Sequence, residues 1–596
     1  MQNNRNYFIA IALSVLIVLA WQFFYMNPRI EQQRLAEEAR LAQQAQTEAA
    51  SQSTTPPAGG TVEGALPNGA VGAAAEQSTA ETPRVAIDTP ALSGSLNLTG
   101  ARLDDLRLKE YHVTVDDSSP LVTLLNPANT QDGYFAEIGY IAGENSGSVP
   151  GPNTVWTLAS GEELTPSTPV TLTYTNEVGV TFERKVSVDE HYMFKFEDTV
   201  RNEGASAATI AQYGRVTRYN KPATASVFVI HEGFLGVIGT EGSLSEHSYS
   251  DIEDANVANE KATGGWLGIT DKYWATSLIP SQTLPYESRF SHFTDGTPRF
   301  QADFRADALT VPAGQSTTVE TLIFAGAKRV PVIDGYDAQL SIPKFDLMID
   351  WGWFYFITKP MFKMMDYFYH LIGNFGVAIL LTTIVVKIIF FPLANKQYAS
   401  MANMKRVQPK LEELKAKHGS DRMALQQAMM ELYKTEKINP VAGCWPILLQ
   451  IPVFFALYKV IYVTIEMRHA PFFGWIQDLS APDPTSIINL FGLLPFDSPS
   501  FLHLGVWPIL MGITMWVQMR MNPTPPDPTQ AMLFNWMPVL FTFMLGSFPA
   551  GLVIYWAWNN TLSILQQAVI MRRHGVKIEL FSNIANAFRR KPAETK

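Results

Sequence analysis

Four segments of the chain, 374–391, 441–465, 503–521 and 532–571, contain no aspartate or glutamate and consist mostly of Leu, Ile, Val, Phe, Met and Trp. At 1.5 Å of rise per residue, about 20 such residues cross a ~30 Å hydrocarbon layer. A run of this kind also lies at Tyr7 to Met26. A signal peptide would carry a shorter apolar core followed by a small-residue cleavage site. Here Trp21, Phe23, Phe24 and Tyr25 follow instead, which favours an uncleaved anchor. Only 17% of the 596 residues are charged, which excludes a fully disordered chain and a nucleic-acid-binding charge pattern. The charge is also unevenly placed. Met26 to Asp350 holds 22 basic against 42 acidic residues, net −20, whereas Leu393 to Pro440 is net +4 and Arg572 to Lys596 net +5. Acidic and basic blocks separated by apolar runs describe a membrane protein.

The predicted organisation is a polytopic α-helical membrane protein with six transmembrane helices and a large antiparallel β-sandwich. Residues 1–26 form the anchor and 27–83, rich in Ala, Gly, Ser, Thr and Pro at their end, a flexible tether. From 84 to 345 the pattern has period two. Val180, Phe182, Val186 and Val188 alternate with Thr181, Glu183, Lys185 and Ser187, and short strands of this kind argue for a sandwich. Residues 351–373 place Lys359, Lys363, Asp366 and His370 in one helical stripe among Phe, Tyr, Met and Ile. Such a helix lies in the membrane interface with its stripe to water, or else packs in a core. The second span is 374–392, a helical hairpin occupies 393–440, and the third span is 441–466. A loop covers 467–502, the fourth span 503–522, and the fifth and sixth spans 530–572, joined by a tight turn at Gly546 to Pro549. A basic tail, 573–596, ends the chain. Six spans put both termini on one side with the basic hairpin and tail, hence the cytoplasm, and the acidic β-domain outside it.

Within the spans, ionisable groups are costly and are functional hypotheses by default. Lys387 lies five residues before Pro392, ~7.5 Å inside its helix, with no acidic partner in any span. It either snorkels to the interface or faces a hydrated cavity able to take an anion. Thr382, Thr383, Gln450, Gln518, Asn535, Asn559, Asn560 and Gln566 could line such a cavity, and each could equally hydrogen-bond between helices. In the hairpin Met401, Met404, Met423, Met429 and Met430 suit an adaptable apolar surface, and a simple hairpin core explains the same residues. No phosphate loop, metal-ligand cluster or nucleophile elbow is evident, so neither cofactor nor metal is expected. The single cysteine, Cys444, permits no disulfide within one chain.

Glu436 to Pro446, continuing through Leu449-Gln450-Ile451-Pro452-Val453-Phe454 to Ala456-Leu457-Tyr458, resembles the third span of the bacterial YidC membrane protein insertases. Pro392-Leu393, Lys396-Gln397-Tyr398 and Met404 to Pro409 resemble the start of that family's hairpin. Phe548 to Leu552 and Gln566-Gln567 resemble its last span. The resemblance covers most of 351–572, and the N-terminal anchor and β-domain are similar to the Gram-negative version. It implies a periplasmic β-supersandwich, a five-helix core in the inner membrane, and a hydrophilic groove open to the cytoplasm. A groove arginine of the family corresponds here to Lys387, which keeps the charge but not the planar fork. It also implies greasy guiding faces on the third and fifth spans, here Ile451, Phe455, Tyr458, Met537 and Phe541. The implied activity is non-enzymatic insertion and chaperoning of nascent membrane proteins, alone or beside the Sec translocon. The basic tail (Arg572, Arg573, Lys577, Arg589, Arg590, Lys591) would meet ribosomal RNA, or simply mark the cytoplasmic side. Two other classes stay open: a secondary transporter, for which no internal repeat is visible, and a carbohydrate-binding or enzymatic β-domain on a membrane anchor.

Overall fold

The computed structural model describes residues 82–222, 230–418, 421–436, 445–487, 490–491, 494, 504–522 and 528–575. The anchor, the tether up to Glu81, Gly419, Cys444 and the tail beyond Gly575 lie outside them.

Residues 84–327 form two facing sheets. The nine-stranded sheet runs from Leu244–Ser248 through Gly233–Ile238, Gly265–Thr270, Trp274–Ile279, Ser316–Ala327, Met193–Asn202, Val180–Val188 and Val170–Thr175 to Thr157–Ser160. The eleven-stranded sheet centres on Ala208–Tyr219, flanked by Tyr134–Ala142 and Arg299–Ala306. Pairing is antiparallel apart from Arg84–Asp88 beside Glu163–Leu164. The register aligns the apolar rows: Phe194 faces Val188, Phe196 faces Val186, and Val200 faces Phe182, all buried. Side chains of alternating parity point to opposite faces, so these rows meet the opposing sheet as a sandwich core.

One inward position is not apolar. Arg184 sits between Phe182 and Val186 and is fully buried. Its Nε and Nη2 donate to Asp198 Oδ1 and Oδ2, both at 2.7 Å, and Nη1 donates to the Ile138 carbonyl at 2.8 Å. Tyr140 donates to Asp198 Oδ2 from the other sheet at 2.8 Å, and the guanidinium lies 4.8 Å from the Trp156 ring. Every charge is therefore met by a partner, as burial requires.

Lys328, just past the last strand, is buried and donates to Thr270 Oγ1 at 2.9 Å and the Asp271 carbonyl at 2.7 Å. Burial outweighs its acidic neighbours and pushes the ammonium down from 10.5 to about 8. Between those two pH values the unfolded chain binds more protons than the folded one, so folded-state stability rises with pH. Wild type is therefore expected to gain on Lys328→Met by up to about 3 kcal/mol across that window. Paired urea titrations at pH 7.5 and 10.5 check it.

Helix α1 (Val330–Leu340) buries Val330, Val332, Ile333 and Tyr336 beneath the sandwich, an element not anticipated from the sequence. Helix α2 (Tyr355–Ile372) buries Thr358, Met361, Phe362 and Met365 and exposes Tyr355, Phe356, Tyr367 and Leu371. Its charged stripe does not simply face water. Lys359 pairs with Asp334 of α1 at 2.9 Å and with Asp346 at 2.7 Å, and Lys363 pairs with Asp334 at 3.1 Å. Lys359 thus forms an ionic seam to α1 and Asp346, while Lys363 and His370 remain exposed. Gly373, at φ +76°, ends α2 in the left-handed conformation, and the Asn374 side chain caps α3 (Phe375–Ile389) by accepting from Val377 N–H at 3.0 Å.

Helix α4 (Phe391–His418) leaves α3 at a bend of 68°, and α5 (Arg422–Thr435) returns along it. Asp421 caps α5 by accepting from Met423 and Ala424 N–H. The remaining helices are α6 (Trp445–Val463), α7 (Val506–Met521), α8 (Pro528–Leu545) and α9 (Ala550–Arg573). Among the described residues no single helix is long and apolar enough to cross a membrane, and α3 with α4 meets that standard only as a bent pair. The expected count of six spans is therefore not reached from the helices themselves. Polar residues explain part of this: α9 is 24 residues long but carries Asn559, Asn560, Gln566 and Gln567.

Candidate functional site

Helices α3, α4, α6 and α9 enclose a cavity of about 50 Å³ around Lys387. At about 10–15 Å³ per water, it has room for a few waters. Lys387 and Thr383 enter from α3, Gln397 and Tyr398 from α4, Val453 and Leu457 from α6, and Tyr555, Asn559 and Gln566 from α9. Lys387 Nζ donates to Ser563 Oγ at 2.8 Å, and Ser563 in turn donates to the Asn559 carbonyl one turn earlier at 2.7 Å. None of the lining residues is acidic. The cation is thus met by a neutral hydroxyl and a wall of neutral polar groups, an arrangement that attracts an anionic group from outside.

The expected groove residues divide. Lys387, Thr383, Asn559 and Gln566 come together in the cavity. Thr382 is buried, its hydroxyl without a partner among the described residues, and Thr383 donates back to the Ile379 carbonyl at 2.7 Å. Gln518 on α7 and Asn535 on α8 do not line the cavity, and Asn535 is exposed. Gln450 lies on α6, and its side chain is outside the described residues. Of the expected guiding faces, Ile451 and Phe455 are exposed one turn apart on α6. Tyr458 is buried instead, stacking on Tyr462 at 5.6 Å and packing on Phe548 at 6.0 Å. Met537 and Phe541 are half-buried, and the exposed face of α8 is made by Phe534, Trp536, Leu540 and Phe543. In the hairpin Met401, Met404 and Met429 are half-buried, while Met423 and Met430 are exposed.

Ser563, Tyr555 and Tyr398 were missed by the sequence reading. The spacing of Asn559, Ser563 and Gln566, at four and three residues, is a one-sided polar ladder and was the available signal. Tyr398 stood out only by its likeness to the family's hairpin, and the bend between α3 and α4 turns it into the cavity.

The family model described as the YidC periplasmic domain matches residues 84–364, and that described as the 60Kd inner membrane protein matches 367–577. "Membrane protein insertase YidC" of Allorhizobium ampelinum is 70% identical over 100% of both chains, and that of Agrobacterium fabrum is also 70% identical over 100% of both. The chain belongs to the YidC family of membrane protein insertases. Its membership extends over both the β-domain and the helical part, so the sandwich is the YidC periplasmic domain. A solved structure of an active YidC insertase with its first transmembrane domain resolved shares 18% identity, with a TM-score of 0.35, over 82% of this chain and 92% of that one. That score is too low to add to the assignment. The YidC relatives are named as insertases, not enzymes.

Proposed function

We propose that this chain inserts nascent membrane proteins into the bacterial inner membrane, with the Lys387 cavity as the transient station for a substrate's exported polar tail. The observation that carries the reading is a cation walled by four helices, bonded to a hydroxyl and lined by no acid. Crossing lipid leaves backbone polar groups unsatisfied at a cost of several kcal/mol each. A hydrated cavity partway across shortens the dry path, and Lys387 offers an acidic tail a counter-charge there. The membrane potential, positive outside, then favours export by ~2.3 kcal/mol per charge per 100 mV. The substrate's apolar segment leaves sideways along Ile451 and Phe455 and the exposed face of α8 into lipid. No bond is made or broken and no nucleotide is consumed.

The topology that fits has six spans, both termini in the cytoplasm and the β-domain in the periplasm, α3 supplying the second span and α4 the first arm of the cytoplasmic hairpin. The methionines of the hairpin then meet emerging apolar segments, the basic tail meets the ribosome, and the helices meet lipid. Larger substrates would arrive by way of the Sec translocon.

Reconstituted alone into liposomes, the full chain is expected to insert a small protein having one apolar segment and a short acidic tail, without nucleotide. Protease protection of the tail checks this. Protection no greater than in empty liposomes would overturn the reading.

A further inference from the structure

A second cavity, of about 920 Å³, lies where the β-domain meets the helices. It falls within the size range of small-molecule and cofactor sites, roughly 300–1,000 Å³. Part of the wall is apolar and aromatic, with Phe455, Trp353, Phe354 and Tyr355. Phe455 is one turn from exposed Ile451, so this wall continues onto the exposed face of α6. Trp353 is 97% exposed, an arrangement that suits the headgroup level of a bilayer, where Trp and Tyr concentrate.

The same cavity holds charges of both signs. Lys459, eight residues from Ile451 and therefore ~12 Å along the helix, pairs with Asp350 at 2.6 Å. Asp350 also accepts from His231 N–H at 3.0 Å. Gly352, at φ +71°, passes so close that a Cβ there would lie 3.1 Å from Lys459 Cε, so a bare backbone is what admits the lysine stem. Glu246, exposed on strand Leu244–Ser248, also lines the cavity and feels the charges of His231 and Lys459, with no hydrogen bond or salt bridge of its side chain among the described residues.

An apolar wall together with one cation and two carboxylates matches an amphiphile whose head carries both charges. We propose that this cavity holds one aminophospholipid of the outer leaflet, its ammonium toward Glu246 and Asp350, its phosphate toward Lys459, and an acyl chain along Phe455 and Ile451. An anionic lipid would meet the two carboxylates, and a free phosphate would have no use for the aromatic wall. The lipid would join the β-domain to the helices. The proposal rests on the membrane topology given above but not on insertion activity.

The full chain, purified in detergent and stripped of lipid, is titrated with phosphatidylethanolamine or phosphatidylglycerol and read by native mass spectrometry. Wild type is expected to bind one phosphatidylethanolamine about tenfold more tightly than phosphatidylglycerol, the equivalent of 1.4 kcal/mol. Glu246→Gln should abolish that preference, and Leu244→Trp, which fills the cavity without touching a charge, should abolish the site. Lys363→Gln, outside the cavity, should behave as wild type. Equal binding of both lipids to wild type, or unchanged phosphatidylethanolamine binding in Leu244→Trp, would overturn the proposal. So would a photo-crosslinker at position 244 that captures an inserting polypeptide in place of lipid. Because the titration contains no substrate, failure of the insertase reading in liposomes would leave this result standing, and the reverse.

Discussion

Lys387→Glu is expected to stop insertion of a substrate with an acidic exported tail, and a tail of reversed charge is expected to restore it. The cavity contains no acid to offset the change, so one substitution turns attraction into repulsion. Two unit charges at 4 Å and an effective dielectric of 20 interact by about 4 kcal/mol. At 1.4 kcal/mol per factor of ten, losing that attraction alone lowers occupancy on the order of a thousandfold. Lys387→Arg keeps the charge and should insert near the wild-type rate. Ser563→Ala removes only the hydroxyl that receives Lys387 and should cost far less, about 1 kcal/mol. Protease protection of the two tails, measured with each variant, separates these cases. Normal insertion by Lys387→Glu would leave hydration and the apolar helix faces to account for transfer.

The second large effect is structural. Asp198→Ala leaves the Arg184 guanidinium inside the sandwich without its bidentate partner and strips Tyr140 of its acceptor. Breaking a buried pair by removing one member costs about 3–5 kcal/mol. That is a large share of the 5–15 kcal/mol that holds a typical domain folded. The loss is expected as unfolding of the β-domain at lower urea, followed by circular dichroism. Replacing both Arg184 and Asp198 by Met should cost much less than Asp198→Ala, since no orphaned charge remains. An equal cost for the single and double variants would mean that the pair is held by something other than mutual neutralisation.

Much of this architecture was legible because its causes are local. Period two in Val180 to Val188 gave the strand and its buried face, although Arg184 on that face was not singled out. Lys387 stood out as the one ionisable group in its run. Asp421 as a cap followed from its place before α5. What was not legible depends on contacts between distant segments. Lys359 looked solvent-facing until Asp334 and Asp346 were brought against it. Tyr458 shares its helix with Ile451 and Phe455, yet Tyr462 and Phe548 cover it. Gln518 and Asn535 carry the same chemistry as Asn559, and only the packing of α3 on α9 separates the one that meets Lys387 from the two that do not.

On the proposed mechanism the substrate's polar tail occupies the Lys387 cavity during insertion. A photo-crosslinker at position 397, on the α4 wall of that cavity, tests it most directly with a ribosome-stalled substrate caught partway. Adducts to the acidic tail, lost in Lys387→Glu and regained with a basic tail, are the predicted result. Adducts to the apolar segment alone, unchanged by the charge at 387, would contradict it.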